Sequence, residues 1–210
     1  QLLIDTAFAS DIKTFFDDQR RAFPSAAEQL FLLEADSLRD WPGESLKAYD
    51  RGLIAFPQSF SLLYGRAMVH ESEGQLGAME NDLRSILAQD PDHAATLNAL
   101  GYTLTNHTQR YDEAANLIER ALALSPGDPA ILDSLGWVYY KLGQYSESEA
   151  LLREAHNAFP DPEVAAHLGE VLWVQGRQFE ARDVWRDGLG RVPDHPIILE
   201  TVKRLGAELP

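Results

Sequence analysis

The chain has 210 residues, 45% apolar and 24% charged, a balance that supports a packed fold and argues against disorder. A formal net charge of −15 speaks against nucleic acid and against anionic membrane surfaces, both of which demand clustered Lys and Arg. With no cysteine, disulfides, thiolate metal sites and cysteine nucleophiles are excluded within these residues, and no apolar run approaches the ~20 residues of a membrane-spanning helix.

Residues 1–8 (QLLIDTAF) are apolar, with no initiating Met and no basic lead-in. The chain therefore reads as a piece of a longer protein, any targeting signal having been removed with the rest. Residues 9–23 read as the second helix of a repeat whose partner is missing, which leaves Leu2, Leu3, Ile4 and Phe8 exposed. From there Pro24, Pro57, Pro91, Pro126, Pro160 and Pro193 follow at spacings of 33, 34, 35, 34 and 33 residues. A period near 34 marks an array of helix–turn–helix units, none of which can bury its apolar face without a neighbour.

The units are expected at about 26–58, 59–92, 93–127, 128–161 and 162–193, preceded by an orphan helix in 1–25 and followed by a capping helix in 194–210. Weaker units carry Phe31, Leu32, Leu33, Ser45, Tyr49 and Gly52, then Leu63, Ala67, Gly74, Leu83 and Ile86. The third has Leu97, Leu100, Gly101 and Leu104, then Ala114, Ile118 and Ala121; its longer turn, Asn106 to Tyr111, explains the 35-residue step. In the fourth, Leu132, Leu135 and Tyr139 make a helical face, Gly136 admits the second helix, Gly143 ends the first, and Ser148, Leu151, Leu152 and Ala155 turn inward. The fifth has Leu168, Gly169, Leu172 and Gly176, then Ala181, Trp185 at a core position, and Gly188. After Pro193, Ile198, Val202 and Leu205 share one face, with Glu200, Thr201, Lys203 and Arg204 elsewhere. Twelve helices are predicted: five pairs, one orphan and one cap.

Leu-Gly in the first helix, an aromatic and an alanine opening the second, a later alanine and a closing proline together resemble the tetratricopeptide repeat (TPR). The resemblance covers about residues 26–193 and implies an all-α fold, a right-handed α-solenoid of stacked antiparallel helix pairs. Ser45 and Ser148 stand where alanine is usual, and Gly188 replaces the later alanine.

In such a solenoid the first helices line the concave face. The expected groove residues are Tyr64, Met68 and Glu71; Asn98, Tyr102 and Thr105; Asp133, Trp137, Tyr140 and Lys141; and His167, Glu170 and Trp173. Tyr102, Trp137, Tyr140 and Trp173 would form an aromatic ladder of the kind enriched at interface hot spots; the competing reading is that the rings pack against the neighbouring helix. TPR modules that clamp a carboxylate use Lys, Arg and Asn here, but only Asn98 and Lys141 are of that type. An apolar or basic peptide segment suits the groove better.

Enzyme signals are thin. His167 and Glu170 are spaced to share a metal, yet no third ligand accompanies them. His70-Glu71 lacks the second histidine of a zinc-protease motif, and no phosphate loop or nucleophile elbow is present. No cofactor is implied. The acidic run from Glu147 to Glu154 reads as a solvated helix face.

The stretch from Asn98 to Glu147, with LLYGRAMV, DPEVAAHLGEVLW and the closing DHPIILETVKRL, is similar to the C-terminal repeats of TPR lipoproteins of the Gram-negative outer membrane. The best-understood member type binds a periplasmic carboxyl-terminal processing protease, activates it and presents its substrates. That resemblance implies a non-catalytic adaptor in the periplasm, anchored by a lipid on a part not contained here. The alternative is a self-associating scaffold; oligomeric state is left open.

Overall fold

A computed structural model describes residues 2–208, with side chains from Phe8 onward. The described residues form twelve α-helices and no strand: α1 (Leu2–Ala22), α2 (Ala27–Ser37), α3 (Pro42–Ala55), α4 (Phe60–Ser72), α5 (Leu76–Gln89), α6 (Ala94–His107), α7 (Tyr111–Leu124), α8 (Pro129–Lys141), α9 (Tyr145–Ala158), α10 (Pro162–Val174), α11 (Gln178–Arg191) and α12 (Pro196–Arg204). A 3₁₀ turn, Pro24–Ala26, follows α1. Short turns make consecutive helices antiparallel, and α2 packs on α3, α4 on α5, α8 on α9 and α10 on α11. The repeat pattern showed no internal boundary, yet the chain divides into two compact units, one ending at Thr96 and the other beginning at Leu97.

The helix limits follow from local chemistry. Pro42, Pro129, Pro162 and Pro196 occupy first-turn positions, where a missing N–H costs little. The Asp128 carboxylate caps α8, accepting from the amides of Ala130 (2.9 Å) and Ile131 (3.3 Å). Asp128→Ala should destabilise the chain by about 1 kcal/mol, the usual worth of an N-cap, as read by urea unfolding. At the other end Gly143 takes φ 78°, a left-handed geometry that closes the helix with amide bonds from Gly143 to Tyr140 O and from Gln144 to Tyr139 O.

In the first unit, Phe31, Ala35, Leu38, Ala48, Tyr49 and Leu62 form the core where α2, α3 and α4 meet, and Ala9 of α1 joins them. Glu34 of α2 is also fully buried there. Its two carboxylate oxygens accept from Arg20 of α1 (2.8 Å) and Arg51 of α3 (2.5 Å), so one charge ties three helices. The Arg20 guanidinium also lies 4.0 Å over the Phe31 ring. The expectation of exposed Leu2, Leu3 and Ile4 side chains lies outside the described residues. Phe8 is 45% exposed, with its ring 5.0 Å from that of Trp41.

In the second unit, Leu152, Ala165, Leu168, Val171, Leu172, Ala181, Trp185, Ile198 and Val202 are packed together across α9 to α12. Close helix approach depends on missing side chains. A Cβ on Gly136 would stand 2.7 Å from Leu152 Cγ, and one on Gly169 within 2.5–2.6 Å of the Trp185 ring atoms Cε2 and Cδ1. The serines that replace alanine are buried and satisfied: Ser45 donates to Ala35 O (2.9 Å) and Ser148 to Gly136 O (2.6 Å), each reaching the facing helix. In α12, Ile198 and Val202 are buried as the pattern required, but so is Thr201, assigned above to the polar side.

Candidate functional site

The polar residues of the second unit gather where α6, α8, α10 and α12 present side chains to one another. Helical spacing puts Asp133, Trp137 and Tyr140 on one face of α8, and Glu163, His167 and Glu170 on one face of α10. His167 Nδ1 lies 2.9 and 3.1 Å from the two oxygens of Asp133. An ionised carboxylate only accepts, so Nδ1 carries the hydrogen. The imidazole stacks on the Trp137 ring at 4.1 Å and 16°, and Tyr140 stacks on Trp137 at 5.0 Å and 19°. Trp137 Nε1 donates to Asn106 Oδ1 of α6 (2.8 Å), and the Tyr102 hydroxyl donates to Glu163. Glu170 accepts from the Tyr140 hydroxyl (2.9 Å) and from both terminal nitrogens of Arg204 of α12 (2.9 and 2.5 Å). The Lys141 ammonium lies 4.2 Å over Trp137 and 5.5 Å over Tyr140.

Burial and charge bias the titrations. Burial works against a charge on His167, but Asp133, then Glu163 and Glu170, outweigh it and hold its pKa above the usual histidine value. Burial, reinforced by Glu163, pushes the Tyr102 hydroxyl up; burial with Glu170 does the same for Tyr140. Burial lowers Lys141, and hydrogen bonding to Glu170 raises Arg204.

These placements correct the expected open groove. Trp137 is only 6% exposed, and Asp133, His167 and Glu170 are buried with it. They pack into one another because each has a partner about one repeat away, so their side chains close the face. Trp173 leaves the ladder: its ring lies 5.7 Å from that of Trp185 and 5.1 Å from the Arg182 guanidinium, both on α11. Thr105 is buried, donating to Gly101 O. Tyr102, Tyr140 and Lys141 remain half-buried at the surface of the cluster, and Asn98 is half-buried on α6. In the first unit Tyr64, Met68 and Glu71 stand half-buried on α4. His167 and Glu170 face different partners, and no group of three metal-ligating side chains occurs among the described residues. Asn106, Glu163 and Arg204 were not anticipated in this cluster. Arg204 lies 34 residues, one repeat period, after the Glu170 it binds, and that spacing was available as a signal.

Known proteins agree on the repeat. Sequence models of the tetratricopeptide repeat match residues 107–184 and 80–129. TPR repeat-containing protein PA4667 of Pseudomonas aeruginosa is 49% identical over 197 residues, which is 92% of this chain and 33% of that protein. Human protein O-mannosyl-transferase TMTC1 is 23% identical over 170 residues, 77% of this chain and 19% of that protein. The chain thus spans a third or less of the length of these two relatives. Among solved structures, TTC0263, a thermophilic TPR protein of Thermus thermophilus, superposes with TM-score 0.72 at 22% identity, over 86% of this chain and 97% of its own. YrrB, described as a TPR protein with an unusual peptide-binding site, gives 0.59 at 16% identity over 87% and 96%. Helix pairs with glycine-seated contacts, a 34-residue period and these matches converge: the chain belongs to the tetratricopeptide repeat family.

Proposed function

We propose that this chain is a non-catalytic adaptor that binds a protein or peptide segment on the exposed rim of the α8–α10 cluster. The observation that carries this reading is the half-buried pair Tyr140 and Lys141, with Tyr102, set on a base of packed rings and satisfied charges. A surface of this kind loses little side-chain freedom when a partner docks, because its rings are already held. Following the lipoprotein resemblance, the partner is a periplasmic carboxyl-terminal processing protease or one of its substrates, and the protein is held at the outer membrane by a lipid anchor on another part of the chain. The peptide-binding site named for YrrB, a protein of the same fold, supports the general form of this reading.

The test uses purified protease of the same envelope and the Tyr140→Ala/Lys141→Ala variant. Loss of one hot-spot pair should weaken association at least tenfold, with far-ultraviolet circular dichroism unchanged. Unchanged affinity rejects the rim as the site; no association of the wild type rejects the protease link. A second reading, self-association, is favoured by Phe8, Phe15 and Phe23, which are 45, 57 and 58% exposed along and just beyond α1. Light scattering separates the two: a mass independent of concentration rejects self-association.

A further inference from the structure

We propose that the Asp133–His167 pair is a proton-operated latch between neighbouring repeats, in which the imidazolium clamps α8 to α10 and its neutralisation loosens that junction. The geometry is that of a built ion pair. Both residues are buried, Nδ1 addresses both carboxylate oxygens at 2.9 and 3.1 Å, and the two residues lie 34 positions apart on consecutive first helices. The Trp137 ring, 4.1 Å from the imidazole and nearly parallel to it, offers a π face that favours a cation over a neutral ring.

The surrounding charges close on the same answer. From α6, Tyr102 approaches, its ring 6.4 Å away. From α8 come Asp133 and, beyond Trp137, Lys141; from α10 itself come Glu163 and Glu170; from α12 comes Arg204, held on Glu170. Leu152 and Ala155 of α9 and Ala181 and Trp185 of α11 meet the core with uncharged side chains. Three carboxylates therefore stand against Lys141, Arg204 and His167. The cluster is balanced only when the imidazole is protonated. Once it is neutral, the Nδ1 hydrogen bond survives but a buried carboxylate loses its counter-charge.

The sign follows from linkage. The His167 pKa is raised by folding, so the latch contributes fully below the unfolded value of about 6.5 and is lost as pH rises through the folded value. The experiment follows the ring signals of the six histidines by NMR against pH, with the His167 signal identified by its absence in His167→Gln. In the wild type, His167 should titrate above about 6.5, and Asp133→Asn should bring that midpoint down. Between pH 6 and 9 the wild-type Tm should fall by about 2–4 °C more than that of His167→Gln. A wild-type midpoint at or below the ordinary value overturns the latch. So does an Asp133→Asn midpoint that does not move, or an equal pH slope in the two melting series. If Asp133→Asn fails to fold, the wild-type titration decides alone.

Discussion

Gly169→Ala is expected to destabilise the chain by about 2–3 kcal/mol, although alanine is the better helix former by about 1 kcal/mol. The added carbon would stand within 2.5–2.6 Å of the Trp185 ring, far inside van der Waals contact. The ring has nowhere to retreat. It is fully buried, and its Nε1 is tied to Ala166 O at 3.3 Å. Either α10 and α11 move apart, which opens voids around Leu168, Leu172 and Ala181, or the indole leaves its rotamer. Urea unfolding should show the loss, and Trp185→Phe introduced with Gly169→Ala should cost less than the sum of the two single changes. The control is Gly77→Ala, in the first turn of α5 with nothing within 4 Å of its would-be Cβ. That change should be neutral or stabilise by up to about 1 kcal/mol. If Gly169→Ala behaves like Gly77→Ala, close approach at Trp185 does not govern this helix pair.

The second large effect is expected at Glu34. Removing its carboxylate by Glu34→Ala takes from Arg20 and Arg51 the anion they share, leaving Arg20 with Asp17, one turn before it on α1 and 2.7 Å away. Arg20 is largely buried, so water cannot replace the lost partner cheaply. Breaking a buried pair in this way typically costs about 3–5 kcal/mol, and the retained Asp17 pair sets this change toward the lower end. The loss is concentrated in the first unit, where α1 is held to α2 and α3 by this charge as well as by Ala9 and Ile12. Thermal unfolding and limited proteolysis at α1 provide the check. A Glu34→Ala protein with wild-type melting and an uncleaved α1 would contradict the three-helix tie. Glu34→Gln is the informative companion: it keeps hydrogen-bond acceptance at one oxygen but not the charge, so it should lie between the two.

Much of this architecture was legible in the sequence, because a proline every 34 residues and a glycine after leucine at Leu135 and Leu168 leave few alternatives. Depth was harder to read. Asp133, His167 and Glu170 look like solvent-facing polar residues when each helix is considered alone, and periodicity reports which way a side chain points, not what stands over it. Their burial becomes intelligible only from pairs across repeats: Asp133 with His167 and Glu170 with Arg204, each one period apart. Complementary residues at that separation are the signal that a helix-by-helix reading misses. Trp173 illustrates the converse. Its register matched the ladder, yet the large indole of Trp185 beside it on the next helix, with Arg182, offered a better contact. Glu34 escaped notice for a similar reason, since its partners lie 14 and 17 residues away, about half a period in either direction.

The nine-residue α12 is held by Ile198 seated beside Gly188, by Thr201 and Val202, by Ile197 packed against the shared core, and by the Arg204 fork on Glu170. A short helix held in part by one ion pair opens more readily than the longer helices it packs on, and its opening sets the exposure of what lies beneath it. Amide hydrogen exchange should therefore be faster in α12 than in α10. Because that ion pair is half exposed on the arginine side, salt should widen the difference. Glu170 and the Tyr140 hydroxyl would then be uncovered together, so solution conditions far from the aromatic cluster's own chemistry set how often it breathes.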